Sequence, residues 1–350
     1  MTPLFKVFMP EGITEELNNI LYSGNLSAGK NVQMFENSVK NYIDVKSFLT
    51  FNSYNSAALI PLTILDIQKN DEVIASPMSC LASNQPVAIK HGTVKWTDID
   101  PFVGALDPDC VRKNITSKTK AILHNHWGGY PGYIDEINAI GKEYGIPIIE
   151  DAIESFGSEY KGKIVGNTGA DFTLFAFQAV RLPSSIDGGG VICKNEEHHK
   201  TAILLRDYGI DRSRFRNAMG EISEDCDISI PAYGSTLSEI NGLVGTKSMV
   251  DLPKLLTIQR ENALINDDLV KSLNAIPLHN KNTLPNYWIY TFLTKNRDQV
   301  MQEMRNDNLY ASKVHLRNDH YSVFGKLDTT LKGVEKFNNE ALSIPSGWWV

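Results

Sequence analysis

Two carboxylates three residues apart are the first feature of this chain that could do chemistry. "IPIIEDAIES" carries Asp151 at the end of a predicted strand and Glu154 just beyond it. An acid at a strand mouth serves either as a cap or turn residue or as a functional group. The functional reading requires a cation in the same cleft, because an unpaired buried carboxylate is costly. Glu154 doubles that requirement. "NSYNSAAL" puts Asn52, Ser53, Tyr54, Asn55 and Ser56 at a strand-to-helix turn. Free N–H groups at a helix start attract anions such as phosphate, while Ser53 or Asn55 could equally be simple caps. "HNHWGGYPG" holds His124 and His126 two residues apart on a strand, so both face one way. No further His, Asp or Glu cluster has metal-ligand spacing, so the pair reads as structural or substrate-lining and no metal is expected. "VHLRNDHYSVF" gathers His315, Arg317, Asn318, Asp319 and His320 among apolar residues. It is either a solvated loop or a lip for a polar substrate.

The elements that must position these groups follow from periodicity. Between about residues 47 and 195, "SFLTFN", "EVIAS", "TVKWTDID", "KAILHNHW", "IPIIEDA", "DFTLFAF" and "GGGVICK" read as buried strands. They alternate with amphipathic stretches such as "SAALIPLTILDIQ" and "YIDEINAIGKEYG". This alternation predicts a mostly parallel sheet with helices on both faces. Ligands of such sheets sit at the carboxyl ends of the strands. Ser53 to Ser56, Pro77 to Asn84, His124 to Trp127, Asp151 to Glu154 and Gln178 to Arg181 should therefore converge on one cleft. From Ser235 to Leu273 the pattern is helical; "NYWIYTFLT" then reads as a strand, "RDQVMQEMRNDN" as a helix and "YASKVHL" as a strand. A large domain over residues 1–245 and a small α/β domain over 246–350 are expected.

Composition narrows the function class. The chain has 350 residues, 42% of them hydrophobic, and a net charge of −7. With no clustered basic stripe, a nucleic-acid partner is not expected. Cys80, Cys110, Cys193 and Cys226 show no paired spacing for disulfides or zinc. No apolar run reaches transmembrane length and the start "MTPLFKVFMPEG" lacks a signal-peptide core, so membrane insertion is not expected and a cytoplasmic location is.

Taken together, "SGNLSAGKNVQMFENSVKNYI", "TFNSYNSAAL", "DEVIASPMSCLASN", "HWGGYPGYIDEINAIGKEYGIPIIEDA", "GSEYKGKIVGNTGADFTLFAFQ", "DGGGVI", "RDYGIDRSRFRN", "SKVHLRND" and "IPSGWW" resemble, in order, the DegT/DnrJ/EryC1/StrS sugar aminotransferases. These act on nucleotide-linked keto-sugars with pyridoxal phosphate (PLP). The resemblance implies the type I aminotransferase fold, a large mostly parallel α/β domain plus a small C-terminal α/β domain, working as a homodimer with a shared site. Family members usually continue past "GWWV" into a final helix. The small domain is thus expected to lack an edge helix, or the chain to be cut.

Carried over residue by residue, the resemblance sets Asp151 where the family pairs an aspartate with the pyridine nitrogen. Glu154 takes a ring-contact position usually held by glutamine or histidine. Tyr54 and Asn55 replace a glycine-threonine phosphate turn, Ala176 replaces a phosphate-binding serine, and Gly234 and Thr236 stand where an asparagine is usual. Cys80 occupies a further cofactor-contact position. Arg181, in "FAFQAVRLPSS", falls on the Schiff-base lysine. A guanidinium stays protonated and is a poor nucleophile and proton shuttle. Five departures together imply a site relieved of binding PLP, with Arg181 forming a salt bridge to Asp151, Glu154 or both. The leading expectation is a protein of nucleotide-sugar or surface-polysaccharide biosynthesis without a cofactor, which binds or acts on a nucleotide-linked sugar through His124, His126, Trp127, Tyr130, His315 and Arg317. Two alternatives stand beside it: an enzyme using PLP or non-covalently held pyridoxamine phosphate (PMP), and a non-catalytic partner of an active homologue.

Overall fold

The computed structural model describes residues 1–350. Seven strands form the central sheet: β1 (Leu49–Phe51), β2 (Glu72–Ala75), β3 (Thr93–Trp96), β4 (Thr119–Asn125), β5 (Ile148–Asp151), β6 (Phe172–Ala176) and β7 (Gly189–Cys193). Their order is β1-β7-β6-β5-β4-β2-β3. β7 runs antiparallel to both its neighbours, and the other pairs are parallel. Every residue of β5, β6 and β7 is buried, as a sheet covered on both faces requires. The predicted strand "TVKWTDID" stops at Trp96; Ile99–Asp100 instead pairs with Ala105–Leu106 in a separate hairpin.

Helix α1 (Ile13–Leu21) and helix α2 (Lys30–Ile43) come before the sheet. Val32, Phe35, Val39 and Ile43 recur on one side of α2 and are buried. Helices α3 (Tyr54–Ile64), α4 (Leu81–Ile89), α5 (Pro108–Asn114), α6 (Ile134–Tyr144) and α7 (Glu196–Arg206) complete the layers. Helix α8 (Glu239–Ser272) then runs for 34 residues. Its first residue braces the start of α2: the Glu239 carboxylate accepts hydrogen bonds from the Asn31 and Val32 N–H groups at 3.0 and 3.1 Å. The expected boundary after residue 245 falls inside α8. Met249 to Leu256 still pack in the core shared with α2, whereas Ala263 and Val270 pack on the small domain.

The small domain holds strands β8 (Ile276–Pro277), β9 (Tyr290–Leu293) and β10 (Ala341–Ile344) in the order β8-β9-β10, with helices α9 (Arg297–Asn306) and α10 (Lys332–Glu340). The expected strand "YASKVHL" does not form. Ser312 makes one bridge to Ser343 and Val314 adopts a φ of 64°, which breaks an extended run. No helix is long and apolar enough to cross a membrane.

One backbone approach fixes where α3 begins. A Cβ added to Gly189 would lie 2.5 Å from the Ser53 carbonyl oxygen and 2.6 Å from the Tyr54 Cα. Only glycine on β7 lets the start of α3 lie this close to the sheet. Gly189→Ala should therefore destabilise the fold by about 1–3 kcal/mol, measured by chemical denaturation. A change under about 0.5 kcal/mol would show that this approach is not constrained.

Candidate functional site

The five strand-end segments do meet. Asn125 Nδ2 donates to the Met78 carbonyl at 3.1 Å, the Gly128 N–H reaches Glu154, and Tyr54 and Arg181 each contact one of the two acids. At their meeting point Asp151 and Glu154 are both buried. Glu154 has partners on both oxygens, whereas Asp151 has them on Oδ1 alone and its Oδ2 is buried without a hydrogen-bond partner; the two acids take different neighbours, and that division organises the site.

Tyr54 belongs to Asp151. Its hydroxyl, from the first turn of α3, donates to Asp151 Oδ1 at 2.6 Å, and the Ile153 N–H donates to the same oxygen at 3.2 Å. Burial pushes the Asp151 pKa up, against these hydrogen bonds. Burial and the adjoining carboxylate push the Tyr54 phenol well above its ordinary value, so it stays a donor. Arg181 does not reach Asp151, contrary to one form of the expected salt bridge.

Arg181 belongs to Glu154. Its Nη1 lies 3.6 Å from Glu154 Oε1, with both side chains almost wholly out of solvent. The same oxygen meets His315 Nε2 at 2.9 Å, while Glu154 Oε2 accepts the Gly128 N–H at 2.7 Å. Burial alone would raise the Glu154 pKa. The hydrogen bond and charge of His315, then Arg181 and the Gly128 N–H, outweigh it and hold the group below the usual glutamate range. The N–H of Gly128 points inward because residues 127–129 turn through positive φ at Gly128 (60°) and Gly129 (97°). A Cβ on Gly129 would sit 1.8 Å from Asn286 Oδ1.

The ring over Arg181 was not foreseen. Trp288 stacks on the guanidinium with Arg181 Cζ 3.9 Å from the ring centroid, a cation–π contact, and Phe5 stacks on the opposite face at 4.6 Å. Trp288 Nε1 donates to the Val180 carbonyl, and its backbone N–H donates to Asn286 Oδ1. Asn286 Nδ2 in turn grips the carbonyls of Glu154 and Phe156. "NYWIYTFLT" reads only as a strand, and nothing local ties Trp288 or Phe5 to Arg181. The space left among Glu154, Ala176, Arg181, Gln259 and Trp288 is about 10 Å³. Arg181 Nε and Nη1 have no hydrogen-bond acceptor there.

The other expected site residues divide. Cys80, beside Glu154, is half-buried, and burial with the Glu154 charge pushes its thiol to about 11. Asn55 is partly exposed on the first turn of α3, while Ala176 is buried at the end of β6. Gly234 pairs with Asp207 in a bridge, and Thr236 lies beside it. Of the six residues expected to hold a substrate, His315 reaches both Glu154 and solvent. Arg317 is turned inward instead: it forms a two-pronged pair with Asp319 at 2.7 and 2.6 Å and donates to the Asp328 carbonyl. Asn318 ties the same segment to Pro77, Ser79 and Cys80, so the expected polar lip is largely an internal clamp. His126 is buried between Glu150 and the Gly132 N–H. Trp127 donates to Thr291 Oγ1, and the Tyr130 hydroxyl accepts the Thr291 N–H; both rings are buried. His124 is buried with neither ring nitrogen hydrogen-bonded.

Two measurements test this geometry. Tyr54→Phe leaves Asp151 without its side-chain donor and should cost about 1–3 kcal/mol of stability; a neutral result would remove the Tyr54–Asp151 bond from the account. Burial, then His126, pushes His124 well below its ordinary 6.5. The unfolded chain protonates this residue below 6.5 and the fold does not, so stability is complete above that pH and falls below it. The slope should be about 1.4 kcal/mol per pH unit from this residue. His124→Asn should flatten that part of the curve, and an unchanged acid limb would refute it.

Three comparisons place this geometry among known proteins. The model of the DegT/DnrJ/EryC1/StrS aminotransferase family matches residues 9–348. The uncharacterized protein MJ1066 of Methanocaldococcus jannaschii is 27% identical, with 98% of this chain and 92% of that protein covered. The sugar aminotransferase CalS13 of Micromonospora echinospora superposes with a TM-score of 0.93 at 25% identity, covering 100% of this chain and 96% of its own. PseC of Helicobacter pylori, an aminotransferase involved in the biosynthesis of pseudoaminic acid, shares the fold with a TM-score of 0.87 at 22% identity, over 99% of this chain and 94% of its own. With its mostly parallel seven-stranded sheet, its small C-terminal domain and a family match over nearly its whole length, the chain belongs to the DegT/DnrJ/EryC1/StrS aminotransferase family.

Proposed function

We propose that this chain binds a nucleotide-linked sugar on the aminotransferase fold without a Schiff base, and that it does not carry out PLP-dependent transamination. The observation that carries this reading is the 2.6 Å bond from Tyr54 to Asp151. Asp151 is the acceptor that the family's pattern reserves for the pyridine nitrogen, and here a side chain supplies a donor to one of its oxygens, Oδ1, while Oδ2 has no partner. The residues present do not fit PLP. Arg181 offers no amine that loses its proton near neutral pH, and Ala176 offers no hydroxyl.

What stays open to a ligand is the His315 side. Glu154 fixes the His315 ring through its 2.9 Å contact, and Trp127 packs edge-on at 5.4 Å. A ring held this way can hydrogen-bond a sugar hydroxyl or a phosphate oxygen. A homodimer suits the segment between α7 and α8. It has no helix or strand and exposes Tyr208, Met219, Ile222 and Ile228, apolar surface that a second copy would cover.

Absorbance with added PLP or PMP, followed by dialysis, tests the reading: no band near the visible edge should persist. Arg181→Lys alone should not create one, because Tyr54 still occupies Asp151, whereas Arg181→Lys with Tyr54→Gly should begin to retain the cofactor. A persistent band in the unaltered protein would overturn the proposal. Nucleotide-sugars should raise the melting temperature, an effect that His315→Ala reduces about tenfold in apparent affinity, or about 1.4 kcal/mol.

A further inference from the structure

We propose that His315, oriented by Glu154, is a general base that moves a proton at a carbon beside the carbonyl of a nucleotide-linked keto-sugar. This activity rests on the reading that the cleft binds a nucleotide-linked sugar without a Schiff base. A carboxylate–imidazole pair carries it. Glu154 Oε1 lies 2.9 Å from His315 Nε2, and the carboxylate is held in turn by the Gly128 N–H at 2.7 Å and by Arg181 at 3.6 Å. An ionised carboxylate only accepts, so Nε2 carries the proton and the lone pair of the neutral ring lies on Nδ1. Nδ1 has no hydrogen-bond partner in the protein and is not shut off from solvent; the side chain keeps 17% exposure. The other two histidines expected at the substrate side differ. His126 commits both ring nitrogens, to Glu150 and the Gly132 N–H, and His124 is wholly buried.

The way His315 is presented is an independent observation. Its N–H donates to the Lys313 carbonyl, two residues back, at 2.8 Å, which closes a three-residue turn centred on Val314 at φ 64°. Turns of this kind at positive φ are rare and strained, and a β-branched residue there is an outlier. Val314 is kept in place by packing against Leu4, Trp288 and Ile289. Backbone strain persists only where the surroundings over-determine it, and it gathers at functional sites. Trp127 meets the His315 ring edge-on at 5.4 Å, so the backbone and a flanking aromatic together fix where Nδ1 points.

The step balances without a cofactor. A neutral imidazole removes a proton from carbon only where a neighbouring carbonyl takes the electron pair, so the sugar must carry a keto group. Nδ1 accepts the proton, the C–H pair becomes the C=C bond of an enolate, and the carbonyl π pair moves onto oxygen. The Glu154 carboxylate stabilises the imidazolium that forms. Return of a proton from Nδ1 to the same carbon restores the ketone, and nothing is oxidised or reduced. Because Nδ1 reaches solvent, the proton it holds exchanges with water before it returns. Glu154 is buried behind the ring and acts through it, as a positioning residue.

Deuterium uptake tests the proposal. UDP- and dTDP-linked 4-keto-6-deoxyhexoses are incubated in D2O with the full chain, without PLP, and exchange at carbon is followed by proton NMR. At least one should exchange at least about a hundredfold faster than without protein. The corresponding nucleotide-sugars lacking the keto group should raise the melting temperature and show no exchange. His315→Gln retains a hydrogen-bonding side chain that takes up no proton; it should abolish the acceleration and keep the melting-temperature rise. Glu154→Gln should lower kcat for exchange about tenfold with KM little changed, a split that a purely structural role would not give. A melting-temperature rise with no exchange, or exchange that His315→Gln leaves unchanged, would overturn the role of His315 while the binding reading stands. If neither keto-sugar raises the melting temperature or exchanges, both fall.

Discussion

Everything at this site follows from putting two carboxylates, Asp151 and Glu154, out of water within four residues of chain. A buried ion left without partners costs several kcal/mol, so each acid dictates the side chains around it. Asp151 takes a neutral donor, Tyr54, at 2.6 Å. Glu154 takes cationic or cation-capable ones, Arg181 and His315, and a backbone N–H from Gly128. The division is physically sensible. A phenol can be brought in from the start of α3 without adding charge, while the second acid, next to the first, needs positive charge to stay ionised beside it.

The cation itself then needs support, and the chain ends provide it. Arg181 has one carboxylate at 3.6 Å and two nitrogens with no acceptor, so its remaining stabilisation is the face of Trp288. Trp288 is held by Val180 and Asn286 beneath and by Phe5 above. Phe5 is kept in place where the two termini meet: Trp349 Nε1 donates to the Pro3 carbonyl, and Lys6 lies over the Trp348 ring. The N-terminal segment is therefore part of the site's construction, three layers removed from the acids.

Much of this was legible in the chain's order, for a specific reason. Strands covered on both faces write themselves as apolar runs, and the residues at their carboxyl ends must share one edge; this located Tyr54, Cys80, His124, Asp151, Glu154 and Arg181 together. The need for a cation near Glu154 followed from charge alone. What could not be read was which acid Arg181 would choose, since that depends on how far Tyr54 reaches across from α3. Trp288 and Phe5 were invisible because they are far from Arg181 in sequence and look locally like ordinary strand and terminus residues. The dense patch from His315 to His320 misled for the opposite reason: polar residues close in sequence suggested a surface, but Arg317 and Asp319 satisfy one another and could be buried together.

The dependence between Arg181 and Glu154 is unequal, and this bears on how such a site holds together. Glu154 keeps two short contacts, at 2.7 and 2.9 Å, when Arg181 is left out of account. Arg181 without Glu154 is a buried cation with only an aromatic face. Glutamate at position 154 is therefore the condition for arginine at 181, and the reverse is not true. The same reasoning ties Tyr54 to Asp151: the hydroxyl only gains a strong partner because the carboxylate is already fixed by the end of β5 and the Ile153 N–H. Tyr54 is thus tied to Asp151 and Arg181 to Glu154, each through one buried acid. Replacing Arg181 would leave Tyr54 on Asp151 and Glu154 on His315, a site still built around its own side chains.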